Sequence, residues 1–187
     1  MADVRIIVGK RGFGKSYQLR KLLRAEPRVV LYDTLKEKEY DELERIEKFP
    51  ELCRALAADK PIFRYAYSWD GTADREIDFE RVCRAVYCCH RLTFAIEEVD
   101  QFCSPSFLPK HLDMIVSLGR HRDLSVWVAS RRPKEIHPLI RSQANTVISF
   151  AQTEPADLEW SAQVMGSMVE KLPRLKKFRS VTWQDTA

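Results

Sequence analysis

The chain has 187 residues, 45% hydrophobic and 31% charged, with a formal net charge of +4. That length can bury one core, and the composition excludes a disordered segment. No apolar run reaches the ~18 residues of a membrane helix and no signal-peptide pattern opens the chain, so a cytoplasmic protein is expected. Val4–Val8 reads as a first strand, followed by a glycine-rich loop and a helix from Lys15 to about Arg24 with Leu19, Leu22 and Leu23 on one face. Val29–Tyr32 is a second strand. Residues 36–48 carry few large apolar side chains and are expected to form a charged surface excursion. A short helix follows from Pro50 to Ala58, then a strand at Ile62–Tyr67. Phe79, Val82, Cys83, Val86, Tyr87 and His90 fall at helical spacing.

Leu92–Ile96 is an apolar strand ending in Glu97 and Glu98. Leu112, Ile115, Val116 and Gly119 mark a helix, Val126–Ala129 and Thr146–Phe150 are strands, and Asp157–Val164 is helical. A basic tail over 171–187 carries a last strand, Phe178–Trp183, at a sheet edge. Short apolar runs alternating with amphipathic stretches predict one α/β domain with a mostly parallel sheet and helices on both faces. The five cysteines form no C-x-x-C pair, and the four histidines show no metal spacing. Neither a disulfide framework nor a zinc site is expected.

Gly9-Lys10-Arg11-Gly12-Phe13-Gly14-Lys15-Ser16 fits the pattern G-x-x-x-x-G-K-[ST], placed between a strand and a helix as the chemistry requires. Glycines let such a loop bend so that its N–H groups surround phosphate. Lys15 supplies a point charge at the β- and γ-phosphates, and Ser16 gives its hydroxyl to Mg²⁺. The expected nucleotide-binding residues are Gly9, Lys10, Arg11, Gly12, Phe13, Gly14, Lys15, Ser16 and Tyr17, with ATP as the ligand. Two carboxylates at the end of the Leu92–Ile96 strand suit the two acidic roles of ATP hydrolysis. Glu97 is assigned to Mg²⁺, through water, and Glu98 to the attacking water, with Asp100 behind them. Arg120, Arg122, Arg131, Arg132 and Arg141 flank the Val126–Ala129 strand and its successor. They are candidates for sensing the γ-phosphate, for reaching a neighbouring subunit's nucleotide, or for contacting DNA phosphates.

Four pieces, G-K-R-G-F-G-K-S at 9–16, F-A-I-E-E-V-D at 94–100, G-R-H-R-D-L-S-V-W-V-A-S-R-R-P at 119–133 and I-R-S-Q-A-N-T-V-I-S-F at 140–150, occur in this order. Together they resemble the FtsK–HerA superfamily of DNA-translocating ATPases, most of all its small viral genome-packaging members. The resemblance implies a RecA-like core and a ring, often hexameric, that drives double-stranded DNA through its pore, with a capsid or portal protein as a further partner. It implies Glu98 as the catalytic carboxylate, Lys15 and Ser16 on nucleotide and magnesium, and an arginine near 120–141 reaching a neighbour's site. Glu97 stands where relatives usually carry Asp. Arg131 stands where they often carry Gln, which leaves the γ-phosphate sensor to Ser130, Arg131 or both. A viral protein of this kind works in the host cytoplasm or on the virion. Two other readings are a phage morphogenesis ATPase resembling the zonula-occludens-toxin-like proteins and a nucleotide-binding switch that ignores DNA.

Overall fold

The computed structural model of the chain describes residues 3–36 and 38–185. Fourteen elements follow in order: β1 (Val4–Val8), α1 (Lys15–Leu23), β2 (Arg28–Tyr32), β3 (Glu44–Ile46), α2 (Phe49–Ala57), β4 (Phe63–Tyr67), α3 (Arg75–Tyr87), β5 (Leu92–Ile96), α4 (Lys110–Leu118), β6 (Leu124–Ser130), α5 (Pro138–Gln143), β7 (Thr146–Ser149), α6 (Pro155–Met165) and β8 (Val181–Gln184). The strands form one sheet in the order β3-β4-β2-β5-β6-β1-β7-β8. Seven run parallel, and β8 pairs antiparallel with β7 at the edge. The central strands β2 and β5 are buried at every position, as continuous apolar runs covered on both faces must be.

Alternation along the strands separates two cores. Ile6, Val8, Val30, Phe94, Ile96, Val126 and Val128 face a large cluster built with α2, α3, α4, α5 and α6. Ile7, Val29, Leu31, Ala95, Trp127 and Ala129 face a smaller one, closed by Leu19 and Leu23 of α1 together with Tyr40 and Leu43. Both faces are covered as expected, but unequally.

The expected surface excursion at 36–48 needs correction. Tyr40, Leu43 and Ile46 are buried, and Glu44–Ile46 joins the sheet as β3, parallel to β4. Tyr40 and Leu43 join Leu19 and Leu23 of α1 on the smaller face and Ile46 packs into the larger cluster on the other, while Glu42, Glu44 and Glu47 stay in solvent. Glu37 of that segment and the last two residues of the 171–187 tail lie outside the described residues. α5 was not anticipated; Ile140 is its single buried residue. His90 lies beyond α3, which ends at Tyr87, and the last strand starts at Val181 rather than Phe178.

Candidate functional site

Val8 ends β1 beside Ser130 of β6 and Ser149 of β7, so the chain leaves the sheet between two parallel neighbours at their C-terminal ends. The loop that follows turns through three glycines of positive φ, Gly9, Gly12 and Gly14. Gly14 is also the N-cap of α1. No side chain caps this helix and no acid occupies its first turn, whereas Asp74 caps α3 through the N–H groups of Glu76 and Ile77. An uncapped N-terminus leaves its donors and its positive dipole end for an anion.

Lys15 folds back over the loop and donates from Nζ to the carbonyls of Gly9 at 2.9 Å and Lys10 at 3.3 Å. Burial holds its pKa below the ordinary 10.5. The nearby Glu97, Glu98 and Asp100 act against that shift and Arg131 adds to it. These charges converge because β5 and β6 end beside the loop. Gly12, Gly14, Lys15, Ser16, Tyr17, Glu97, Glu98 and Arg131 line one cleft of about 290 Å³, joined by Arg11, Leu35 and Phe178. A larger hollow, about 520 Å³, is lined by Cys53, Cys88, Cys89 and His90 near the start of β5, at the other end of the sheet.

The two adjacent acids are held differently. Glu97 is 4% exposed and accepts a hydrogen bond from the Tyr40 hydroxyl, while its carbonyl accepts from Thr34 Oγ1 at 2.7 Å. Glu98 is in the left-handed region, with φ 49°, and its carboxylate accepts from the Gln101 amide. A non-glycine residue in that region is strained by about 1–3 kcal/mol, a feature that clusters at functional sites. Asp100 sits behind the pair, its Oδ2 at 3.9 Å from Arg131 Nη2 and its buried Oδ1 without a hydrogen-bond partner.

The other sequence candidates are dispersed. Ser130 is fully buried at the end of β6, and its hydroxyl contacts the backbone of Arg132, donating to the carbonyl and accepting from the N–H, each at 3.2 Å. Arg132 turns to α6, pairing with the buried Asp157 at 3.1 Å. Arg141 lies 6.0 Å over the Trp160 ring, and burial lowers its pKa. Arg120 and Arg122 precede β6 in the turn Gly119–Arg122. Arg120 lines a hollow with Asp3 and Asn145, and Arg122 lies 4.8 Å over the Tyr87 ring. Gly9, Lys10 and Phe13 shape the loop: Lys10 donates to the Ala151 carbonyl, and the Phe13 carbonyl accepts from Phe178. Sequence reasoning missed Tyr40, Leu35 and Phe178. Tyr40 was hidden in a run of charge, and the other two carry no pattern that marks a cleft.

The set Ser16, Glu97 and Glu98 offers hard oxygen donors suited to Mg²⁺. Among the described residues no three of His, Cys, Asp or Glu converge as a metal cage would.

No family model and no curated protein matches the sequence. Solved structures do. The genome packaging NTPase B204 from Sulfolobus turreted icosahedral virus 2, in complex with AMPPCP, superposes with a TM-score of 0.79 at 20% identity, over 97% of this chain and 92% of that one. The fold is that of a P-loop NTPase. The pCW3 conjugation coupling protein TcpA, with ATPγS, aligns at TM-score 0.64 and 13% identity over 99% of this chain and 58% of its own. The N-terminal domain of zonular occludens toxin from Neisseria meningitidis aligns at 0.53 and 14% identity over 100% and 96%. The α/β RecA-like architecture read from the sequence is therefore the one present. Its ligand-binding end, outside the carboxyl ends of the strands, is the end that holds the cleft.

Proposed function

We propose that the chain is an ATPase that drives double-stranded DNA, as a viral genome-packaging motor does. The observation that carries this reading is the convergence of Lys15, Ser16, Glu97, Glu98 and Arg131 on one cleft, in a fold shared along nearly its whole length with a packaging NTPase. In this reading the 9–16 loop and the N-terminus of α1 hold the triphosphate, and Lys15 exchanges its two carbonyl partners for phosphate oxygens. Ser16 and Glu97 would hold Mg²⁺, which would supply positive charge against the negative charge that develops in the reaction. Glu98 orients the water that attacks the γ-phosphorus and accepts its proton as the bond to the β-phosphate oxygen breaks. Arg131, exposed at the cleft with Asp100 3.9 Å away, faces the γ-phosphate. Arg120 and Arg122 are the candidates to act on a neighbouring subunit in a ring, and a capsid or portal protein is the expected docking partner.

The test is ATP hydrolysis with and without double-stranded DNA across a salt series, with Lys15→Ala as the blank. DNA should stimulate turnover, and the stimulation should fade with salt as counterion release weakens phosphate contacts. Glu98→Gln should bind ATP and fail to turn it over. Full turnover by Lys15→Ala would remove the site assignment, and hydrolysis indifferent to DNA in an assembled ring would remove the motor. The likeness to the zonular occludens toxin domain over both whole chains supports a second reading, virion morphogenesis. In that case coat protein or membrane, not DNA, stimulates hydrolysis.

A further inference from the structure

Three of the eight exposed large apolar side chains among the described residues line the same cleft: Tyr17 at 48%, Leu35 at 53% and Phe178 at 65% exposure. Leaving such area in water is unfavourable, and their gathering at one polar cleft calls for an apolar partner. Phe178 is also strained, with φ 61°, and its N–H is fixed at 2.9 Å to the Phe13 carbonyl of the phosphate loop. Its ring meets Tyr17 edge-on, with centroids 6.1 Å apart and planes at 79°. It also lies against Gly14, where an added Cβ would stand 2.8 Å from Phe178 Cδ1. A solvent-facing aromatic, held at its backbone, thus lies beside the loop residues that point at phosphate.

We propose that Phe178, with Tyr17 at its edge, is a stacking platform for the nucleobase of the bound nucleotide. The proposal rests on the reading of the 9–16 loop as the phosphate site and deepens it. The base is held by its face. Leu35 and Phe178 offer no polar side-chain atom and Tyr17 only a phenol, so the platform does not read the base edge. Stacking tolerates any base but favours the larger purine face. ATP and GTP therefore bind within about tenfold of each other, and CTP binds more weakly than either. Such tolerance suits a motor for which the triphosphate is fuel alone.

The experiment is competition binding of ATP, GTP, CTP and inorganic tripolyphosphate, each with magnesium, to the wild-type chain, Phe178→Ala, Phe178→Trp and Lys15→Ala. Phe178→Ala should weaken ATP and GTP by about 5- to 100-fold, the range that loss of one stacked base gives. Tripolyphosphate, which has no base, should bind as before, and Phe178→Trp should keep nucleotide affinity. Exposure of the ring leaves folding intact, which a thermal melt verifies. Unchanged ATP affinity in Phe178→Ala overturns the platform. An equal loss of ATP and tripolyphosphate also overturns it, because Phe178 would then only shape the phosphate loop. GTP binding far weaker than ATP overturns recognition by the face. Tripolyphosphate binding that survives Lys15→Ala overturns the phosphate-site reading itself, independently of any Phe178 result.

Discussion

Alanine substitution at the three loop glycines should produce a graded loss of stability, set by what each new methyl meets. All three have positive φ, which costs an L-residue about 1–2 kcal/mol. At Gly12 nothing lies within 4 Å of the added Cβ, so the strain is the whole cost. A gain of about 0.4–1 kcal/mol from the less flexible unfolded chain partly offsets it. At Gly14 the Cβ comes to 2.8 Å from the Phe178 ring, but that ring is exposed and can swing away. At Gly9 the Cβ would sit 2.5 Å from Phe150 Cβ and 3.2 Å from its Cα. Phe150 is 2% exposed, and its N–H is fixed at 2.8 Å to the Val8 carbonyl, so neither partner can yield. Overpacking of that kind adds about 1–3 kcal/mol. With the same offset at both sites, Gly9→Ala should lose about 1–4.5 kcal/mol, a large share of the ~5–15 kcal/mol that holds a domain folded, and Gly12→Ala about 0–1.5 kcal/mol. Urea unfolding of the ligand-free protein reads this as a midpoint shift at constant slope. A Gly9→Ala protein as stable as Gly12→Ala would refute the claim that the loop packs rigidly against the end of β7.

Tyr40→Phe removes the hydroxyl that donates to the buried Glu97 carboxylate. It should cost about 1–3 kcal/mol and raise the magnesium concentration needed for half-maximal turnover; lost stability with an unchanged magnesium requirement would confine Tyr40 to packing. Asp78 accepts from Tyr32 at 3.0 Å and Tyr67 at 2.7 Å inside the core. Burial raises its pKa above the ordinary 3.8, and the two hydroxyls act against that shift. The folded state therefore binds this proton more tightly than the unfolded state, and the contribution of Asp78 to stability falls as pH rises from 3.8 through the raised value. Comparing Asp78→Asn with the wild type across pH 3–7 should show this slope only in the wild type, and parallel curves would refute it. For the arginines, Lys15→Ala and an Arg120→Ala/Arg122→Ala double variant should each be inactive alone but regain turnover when mixed, provided a ring pairs one subunit's cleft with another's arginines. Full activity of the double variant, or no recovery on mixing, would exclude them.

The 9–16 loop was legible as a turn from strand to helix, with glycine where φ is positive and lysine and serine where the helix begins. The strand ending in Glu97 and Glu98 was legible because a buried central strand must be a continuous apolar run. The β3 segment was not, because Tyr40, Leu43 and Ile46 turn inward from a charged stretch at intervals of three, which is not the alternation of a strand. α5 escaped because six residues with one buried side chain give no periodicity. Phe178 escaped because its place over the loop depends on a turn before β8 that brings the end of the chain back to its beginning. The dispersal of the arginines was unreadable for a related reason. Arg131 and Arg132 are adjacent in sequence, yet one lines the cleft and the other holds α6, a choice made by the buried Asp157.

Charge balance at the cleft constrains how it can work. Arg11, Lys15 and Arg131 face Glu97 and Glu98, with Asp100 behind, so three cations meet three carboxylates before any ligand enters. A triphosphate entering alone would bring several negative charges to a neutral site and stand beside fixed carboxylates that repel it. The donors of α1 and the loop offset part of this, since a helix end contributes about half a unit charge. The acids would become an asset if a divalent cation entered with the nucleotide, because Glu97 would then offer it an oxygen donor and the others would face a compensated charge. Arg120 and Arg122 cannot correct the balance within one chain. β6 spans seven residues, roughly 20 Å, between them and Arg131, so positive charge from that end reaches a cleft only when another copy presents it. In the ring reading proposed above, an isolated chain would bind nucleotide through its loop and lack the arginines that a neighbour supplies. Assembly, rather than nucleotide binding, would then be the step that switches hydrolysis on.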